Sequence, residues 1–305
     1  MNETDTEAAG EIAGAAAVAE AAVVKEAVLA DGAAVAGEGI HAAIGQVRAD
    51  VARLHAELVR YGLIVWTSGN VSGRVPGAKL FVIKPSGVDY DELTPMNMIL
   101  CDLDGNVVEG SAGAELKPSS DTAAHAFVYR NMPEVGGVVH THSTYATAWA
   151  ARGEPIPCVI TGMADEFGGE IPVGPFAIIG DDSIGRGIVA TLAGHRSRAV
   201  LMRSHGVFTI GRNPRDAVKA AVMTEDVART IHIARQGGEL ATIDPDAIDA
   251  LFARYQNVYG QPSKGATHLC PHRTRSTASR SGSSPAASTS TARRRSARSP
   301  GNPRR

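Results

Sequence analysis

Apolar residues recur every three or four positions through Ile40, Ile44, Val47, Val51, Leu54 and Leu58. That spacing puts them on one face of a helix, and Gly62 stands where such a helix would end. Further along the pattern shortens. Lys79–Ile83 reads as a short buried strand, and Ile99–Leu103 with Val107–Val108 flanks Asp104-Gly105, a hairpin signal. Ser120 or Asp121 is placed to cap a helix that reaches about Asn131 and is closed by Pro133. Val135–His142 is then a strand. Asp182 or Ser183 opens a helix containing Ile184, Ile188 and Leu192, and Ala199–Arg203 is another strand. Asn213-Pro214 starts a last helix, with Ala217, Ala221, Ala228 and Ile231 as its apolar face. Hairpins interleaved with helices predict one three-layer α/β domain around a mixed or antiparallel sheet. No internal repeat is evident.

The patterned region spans 39–261, and its flanks differ in composition. Residues 1–38 carry eight acidic side chains and one lysine in an Ala/Gly/Val-rich extension with no clear apolar stripe. Residues 262–305 carry ten Lys/Arg and no acid among Ser, Thr, Ala and Pro. Such a tail cannot bury enough surface to offset its chain entropy and is expected to be disordered. Its Arg293-Arg294-Arg295 cluster could meet nucleic acid, but no aromatic residues are interleaved with it, so an incidental extension is the better reading and nucleic acid is not an expected partner. The net charge of −2 therefore hides an acidic domain beside a basic tail.

The segment from Ile12 to Ala30 is the nearest approach to a membrane span, but it is mostly alanine and contains Glu20, Lys25 and Glu26. It also lacks the basic start and apolar core of a signal peptide. A cytoplasmic protein without a membrane partner is expected. Three widely spaced cysteines, Cys101, Cys158 and Cys270, suggest neither a disulfide framework nor a zinc ribbon.

Val138-Val139-His140-Thr141-His142-Ser143 carries the strongest chemical signal. Side chains alternate on a strand, so His140 and His142 point the same way, as a metal such as zinc would require. His205 follows the apolar run Ala199–Met202 and precedes Gly206, where a glycine permits an unusual turn or a close approach. Three histidines at strand ends suit a catalytic metal with one position left open. Asp121 follows Lys117-Pro118-Ser119-Ser120; it reads equally as a helix cap or as a carboxylate for the metal or a proton. Ser119 and Ser120 at a helix start could take a phosphate or serve as ordinary caps, and Lys117 is as easily solvated. Thr67–Ser72 and Lys84-Pro85-Ser86-Gly87 are polar loops of the kind that cradle phosphate or simply turn the chain. Neither is a Walker loop.

Taken together these segments resemble the class II aldolase/adducin family. The matching stretches are Ser68–Ser72, Lys84–Val88, Ser119–Thr122, His140–Ser143 and Ser204–Gly206, in family order over roughly residues 40–261. The resemblance implies an α/β/α fold with a largely antiparallel central sheet. It also implies one divalent metal per subunit on His140, His142, His205 and Asp121, with zinc first and manganese or cobalt compatible. Asn70, Lys84, Ser86, Gly87, Ser119 and Ser120 would hold a sugar phosphate. Within the family the similarity is closest to the L-ribulose-5-phosphate 4-epimerases. Asp121 stands where fuculose-phosphate-type aldolases usually have Glu, Ala164–Gly168 resembles the epimerase segment with a catalytic Asp, and Tyr259-Gly260-Gln261 resembles the epimerase C-terminus.

That likeness implies C4 epimerisation of L-ribulose 5-phosphate to D-xylulose 5-phosphate by retro-aldol cleavage and re-formation. Asp165 and Tyr259 would be the proton-transfer groups, supplied by a neighbouring subunit of a homotetramer. The well-known epimerases have a histidine shortly before that Tyr, and here none occurs between His232 and Tyr259. Two other readings compete: an aldolase of the same family that releases dihydroxyacetone phosphate and an aldehyde, and a non-catalytic adducin-like binding protein.

Overall fold

The computed structural model describes residues 37–108 and 116–258. The readings made for 1–36, for the arginine-rich tail and for Tyr259 fall outside the described residues.

Helix α1 (Gly37–Arg60) buries the six aliphatic residues of the sequence stripe, each at 9% exposure or less. Each such burial favours folding by about 1.5–3 kcal/mol before chain entropy is counted. Gly62 ends it in the left-handed region at φ +64°. The sheet strands are β1 (Asn70–Arg74), β2 (Leu80–Ile83), β3 (Ile99–Asp102), β4 (Gly137–Thr141), β5 (Val173–Gly174), β6 (Ala199–Met202) and β7 (Gly206–Gly211). Their order is β3-β2-β1-β4-β7-β6-β5. Every pairing is antiparallel except β5 with β6. The Asp104-Gly105 hairpin forms, but its return limb is a single bridge, Cys101 with Val107.

The other helices are α2 (Thr122–Asn131), α3 (Thr144–Arg152), α4 (Thr161–Phe167), α5 (Ser183–Leu192), α6 (Pro214–Arg235) and α7 (Pro245–Val258). Alternation along the strands distributes them over two faces. Val71, Leu80, Val82, Leu100 and Val139 pack under α1 and α6, while Ala199, Leu201 and Val207 meet α3, α4 and α6. Phe81, Ile83, Val138, Val200, Phe208 and Ile210 face α2 and α5. The expected three-layer α/β/α arrangement with a mixed, mostly antiparallel sheet is the observed one.

Two caps bear on the sequence reading. Asp182 holds the cap position of α5, yet it pairs with Arg186 at 2.6 Å while Asp181 accepts the Ser183 N–H. Asn213 caps α6 as expected, accepting from the Asp216 N–H at 2.9 Å. Cys101 and Cys158 are free. Among the described residues no helix is long and apolar enough to cross a membrane.

His55, one turn before the end of α1, is fully buried and neutral. Its Nδ1 donates to Val51 O at 2.7 Å, and Nε2 accepts the Val71 N–H at 3.0 Å, joining α1 to β1. Burial, helped by the nearby Lys84 charge, lowers its pKa to about 3 from 6.5. Below pH 6.5 the unfolded chain therefore takes up a proton that the folded chain refuses. The stability held by neutral His55 is complete above that pH and is lost as pH falls toward 3, by about 1.4 kcal/mol per unit. Urea unfolding between pH 7 and 5 should show a pH dependence that is shallower in His55→Gln than in the parent chain, by a difference that approaches one proton near pH 5.

Candidate functional site

The register places Asn70 of β1 opposite His140 of β4, and His140 opposite Phe208 of β7, all on the face toward α2. His140 is 1% exposed, and its Nδ1 donates to Val207 O at 2.9 Å. That bond fixes the neutral tautomer with Nε2 as the acceptor nitrogen. Phe208 stacks on the ring with centroids 4.1 Å apart, holding its orientation.

His142 lies just past the end of β4, and its Nε2 is 2.8 Å from His140 Nε2. His205 occupies the tight turn between β6 and β7. Ligand nitrogens of the three rings lie within 4.8 Å of one another. Gly206 is required for close approach rather than for the turn, because a Cβ there would sit 2.6 Å from Thr141 O and 3.2 Å from His140 Cε1. The left-handed residue is instead Ser204, at φ +57°. All three imidazoles are held below their ordinary pKa. Burial is the main cause for each. Mutual repulsion adds to it at His140 and His142, while Asp121 opposes it at His142 and His205. Neutral, converging and partly buried imidazoles fit a divalent cation.

Asp121 holds the first cap position of α2, but its carboxylate makes no cap bond. It turns to Asn70, whose Nδ2 donates to Asp121 Oδ2 at 2.7 Å and to Ser119 Oγ at 3.0 Å. Asp121 Oδ1 is buried without a protein partner, which suits a carboxylate that completes a cation's ligands. Asp121 is not in the closely spaced imidazole set itself.

The polar loops gather beside these groups. Ser86 N donates to Lys117 O and Ser119 N to Lys84 O, so the 84–87 and 117–119 segments are zipped together. Ser86, Gly87 and Ser120 face solvent, whereas Ser119 and Asn70 are buried. Lys117 is exposed. Lys84 is 2% exposed; its Nζ donates to Thr67 O at 2.9 Å and lies 4.9 Å from the centre of the Tyr90 ring. Burial lowers its pKa, partly offset by Asp89. The Tyr90 hydroxyl in turn donates to Ser68 O and Gly69 O. Asp165 lies on α4, a helix that packs on α7 and α6, and its Oδ1 is buried without a hydrogen bond. The structure thus gathers Lys84, Ser86, Gly87, Ser119, Ser120 and Asp121 in linked loops beside Asn70 at the start of β1 and converges the three histidines, while Asp165 lies on a separate helix, α4.

Behind the site runs a buried chain that the motifs do not reveal. Ser72 Oγ is 2.7 Å from both His125 Nδ1 and Tyr129 Oη. Asp121, His125 and Tyr129 recur every four residues, one face of a helix, which is the signal available in the sequence. Removing the hydroxyl in Ser72→Ala strands two buried polar groups and should cost about 1–3 kcal/mol in urea unfolding.

A family model, Class II Aldolase and Adducin N-terminal domain, matches residues 49–232. The chain belongs to the class II aldolase and adducin family. Solved members share the fold. An L-fuculose 1-phosphate aldolase is 27% identical, covers 69% of this chain and 96% of its own, and superposes with a TM-score of 0.64. YgbL of Klebsiella pneumoniae, provisionally described as an aldolase/epimerase/decarboxylase, is 27% identical over 68% of this chain and 98% of its own, with a TM-score of 0.60. The L-fuculose-1-phosphate aldolase of Thermus thermophilus is also 27% identical, over 63% and 98%, with a TM-score of 0.52. The class II aldolase/adducin resemblance read from the sequence is therefore the family the comparison shows. The finer likeness to the epimerases is a separate matter.

Proposed function

We propose that this protein breaks the carbon–carbon bond between the α and β carbons of a phosphorylated sugar's carbonyl, using a divalent cation. The observation that carries the reading is the convergence of three neutral imidazoles next to Asp121 and three linked polar loops. A cation on His140, His142 and His205, with Asp121 alongside, supplies Lewis-acid stabilisation of the charge that develops on substrate oxygens as the bond breaks. Zinc suits this donor set, as do manganese and cobalt. Val207 O and Phe208 hold the His140 ring ready for that role without reorganisation. Asn70, Ser86, Gly87, Ser119 and Ser120 take the phosphate, with the buried Lys84 charge beneath their loops. That anchor keeps one fragment in place while the other turns.

The finer reading is 4-epimerisation of L-ribulose 5-phosphate, supported by Asp121 in place of Glu and by the Ala164–Gly168 segment. Asp165 and Tyr259 then move the protons on the two faces of the released aldehyde. They come from a second subunit, in keeping with the solvent-facing Val65 (70% exposed) and Trp66 (82% exposed) beside the 67–70 loop, an apolar surface suited to another copy. A second reading, an aldolase, is favoured by likeness to L-fuculose 1-phosphate aldolases. The two differ in whether the fragments recombine. NMR of L-ribulose 5-phosphate with metal-loaded protein separates them. Formation of D-xylulose 5-phosphate is the expected result. Inertness toward that sugar, with release of dihydroxyacetone phosphate from L-fuculose 1-phosphate, would establish the aldolase instead.

A further inference from the structure

Glu166 is a buried carboxylate that the chemistry above does not use. Its side chain is 1% exposed, and Oε2 lies 2.8 Å from Lys219 Nζ. Lys219 Nζ is also 3.3 Å from Tyr255 Oη and 5.0 Å from the centre of that ring. Burial and the Glu166 charge raise the Tyr255 pKa, keeping its hydroxyl protonated beside the ion pair. The three residues come from three helices, α4, α6 and α7. Burial pulls the Lys219 pKa down, but the bond to Glu166 and its charge outweigh this, so the ammonium is held charged.

The cluster sits where apolar packing is thin. No residue of α7 is buried. The helix is held to the domain by this cluster, by an Arg196–Asp249 ion pair at 2.5 Å, by a hydrogen bond from Arg198 to Gln256 Oε1 at 3.1 Å, and by Phe252 against the end of α4. A Cβ at Gly168, the cap residue of α4, would lie 2.8 Å from Phe252 Cδ2, so the two helices meet closely there. Taking a carboxylate out of water is costly and stabilises little compared with a packed apolar residue. In some proteins a buried polar or ionic group fixes the register between elements. Glu166 adjoins Asp165 in α4, and α7 ends at Val258, the residue before Tyr259.

We propose that Glu166, Lys219 and Tyr255 form a three-helix clamp that positions Asp165 and the C-terminal turns of α7. They are positioning residues and touch no substrate. The role rests on the proton-transfer reading of Asp165 given above.

The test uses the full-length, metal-loaded protein. Hydrogen–deuterium exchange of 161–168 and 245–258 is followed in Lys219→Met, in Tyr255→Phe and in the double variant Glu166→Met/Lys219→Met, which leaves no unpaired charge in the interior. Turnover is assayed on L-ribulose 5-phosphate and L-fuculose 1-phosphate, with Asp165→Asn as reference. Exchange should quicken in both segments together. For whichever sugar turns over, kcat should fall about 10- to 100-fold, as for other supporting residues, with KM and bound metal within about twofold of the parent. Lys219→Arg, which keeps the pair, should recover most of kcat. Unchanged exchange in both segments overturns the clamp whatever the substrate, and so does full kcat in a folded double variant. An effect on KM with kcat intact overturns the positioning role. Full activity in Asp165→Asn removes the proton-transfer reading, and the positioning role with it, while leaving the exchange result to stand.

Discussion

His140→Ala is expected to abolish metal binding and turnover together. Of the three imidazoles His140 is the most tightly held, by Val207 O, by stacking on Phe208 and by near-complete burial. Its ring lies close to both others, with centroids 4.6 Å from His142 and 4.8 Å from His205. Losing it leaves two partly exposed rings. Metal content should fall from about one ion per chain to near zero by elemental analysis. Lewis-acid assistance is worth several kcal/mol in such reactions, so kcat/KM should drop about 10³-fold or more. The fold should survive, because the stranded Val207 carbonyl costs only about 1–3 kcal/mol. A variant that kept stoichiometric metal would place the cation elsewhere and sink the reading of the site.

Gly137→Ala should be strongly destabilising. A Cβ at Gly137 would lie 2.5 Å from the Asn213 carbonyl carbon, the Asn213 oxygen and Pro214 Cα. Its sheet partner Gly211 is as crowded, with a Cβ 2.4 Å from Ala217 N. These neighbours are backbone at the start of α6, so no side-chain rotation relieves the clash. The helix must lift from β4 and β7, the strands that carry His140 and Phe208. The loss should lie at or beyond the top of the about 1–3 kcal/mol range for overpacked sites. Gly45→Ala is the matched control: its Cβ meets nothing within 4 Å on α1, and the change should stabilise by about 0.5–1 kcal/mol. Equal urea midpoints for Gly137→Ala and the parent would mean that α6 does not pack on β4 as described.

Much of the molecule is legible in the order of its residues. The stripe from Ile40 to Leu58 specifies α1 because helical periodicity is a local property. Asn213-Pro214 marks the start of α6 for the same reason. His140 and His142 share a side because strand alternation is fixed by backbone geometry. The family follows from five short motifs whose order survives in the chain.

What sequence could not supply is the set of relations between distant residues. Asp121 has the position of a cap, and only the register of β1 against β4 explains why its carboxylate turns to Asn70 instead. Lys84 has the position of a loop cation; the fold buries it under Thr67 and against Tyr90. The Ser72–His125–Tyr129 chain and the Glu166–Lys219–Tyr255 cluster join elements far apart in the chain, and neither carries a local pattern strong enough to announce it. The sequence by itself determined the family and several of the elements, among them α1, α2, α5, α6, β2, β4 and β6, because each depends on local geometry or on short contiguous motifs; β1, β5, β7, α3, α4 and α7 carry no pattern of that strength. The tertiary structure alone decided which residues converge, which are buried and which way each side chain turns, because these depend on sheet register and layer packing between segments dozens of residues apart.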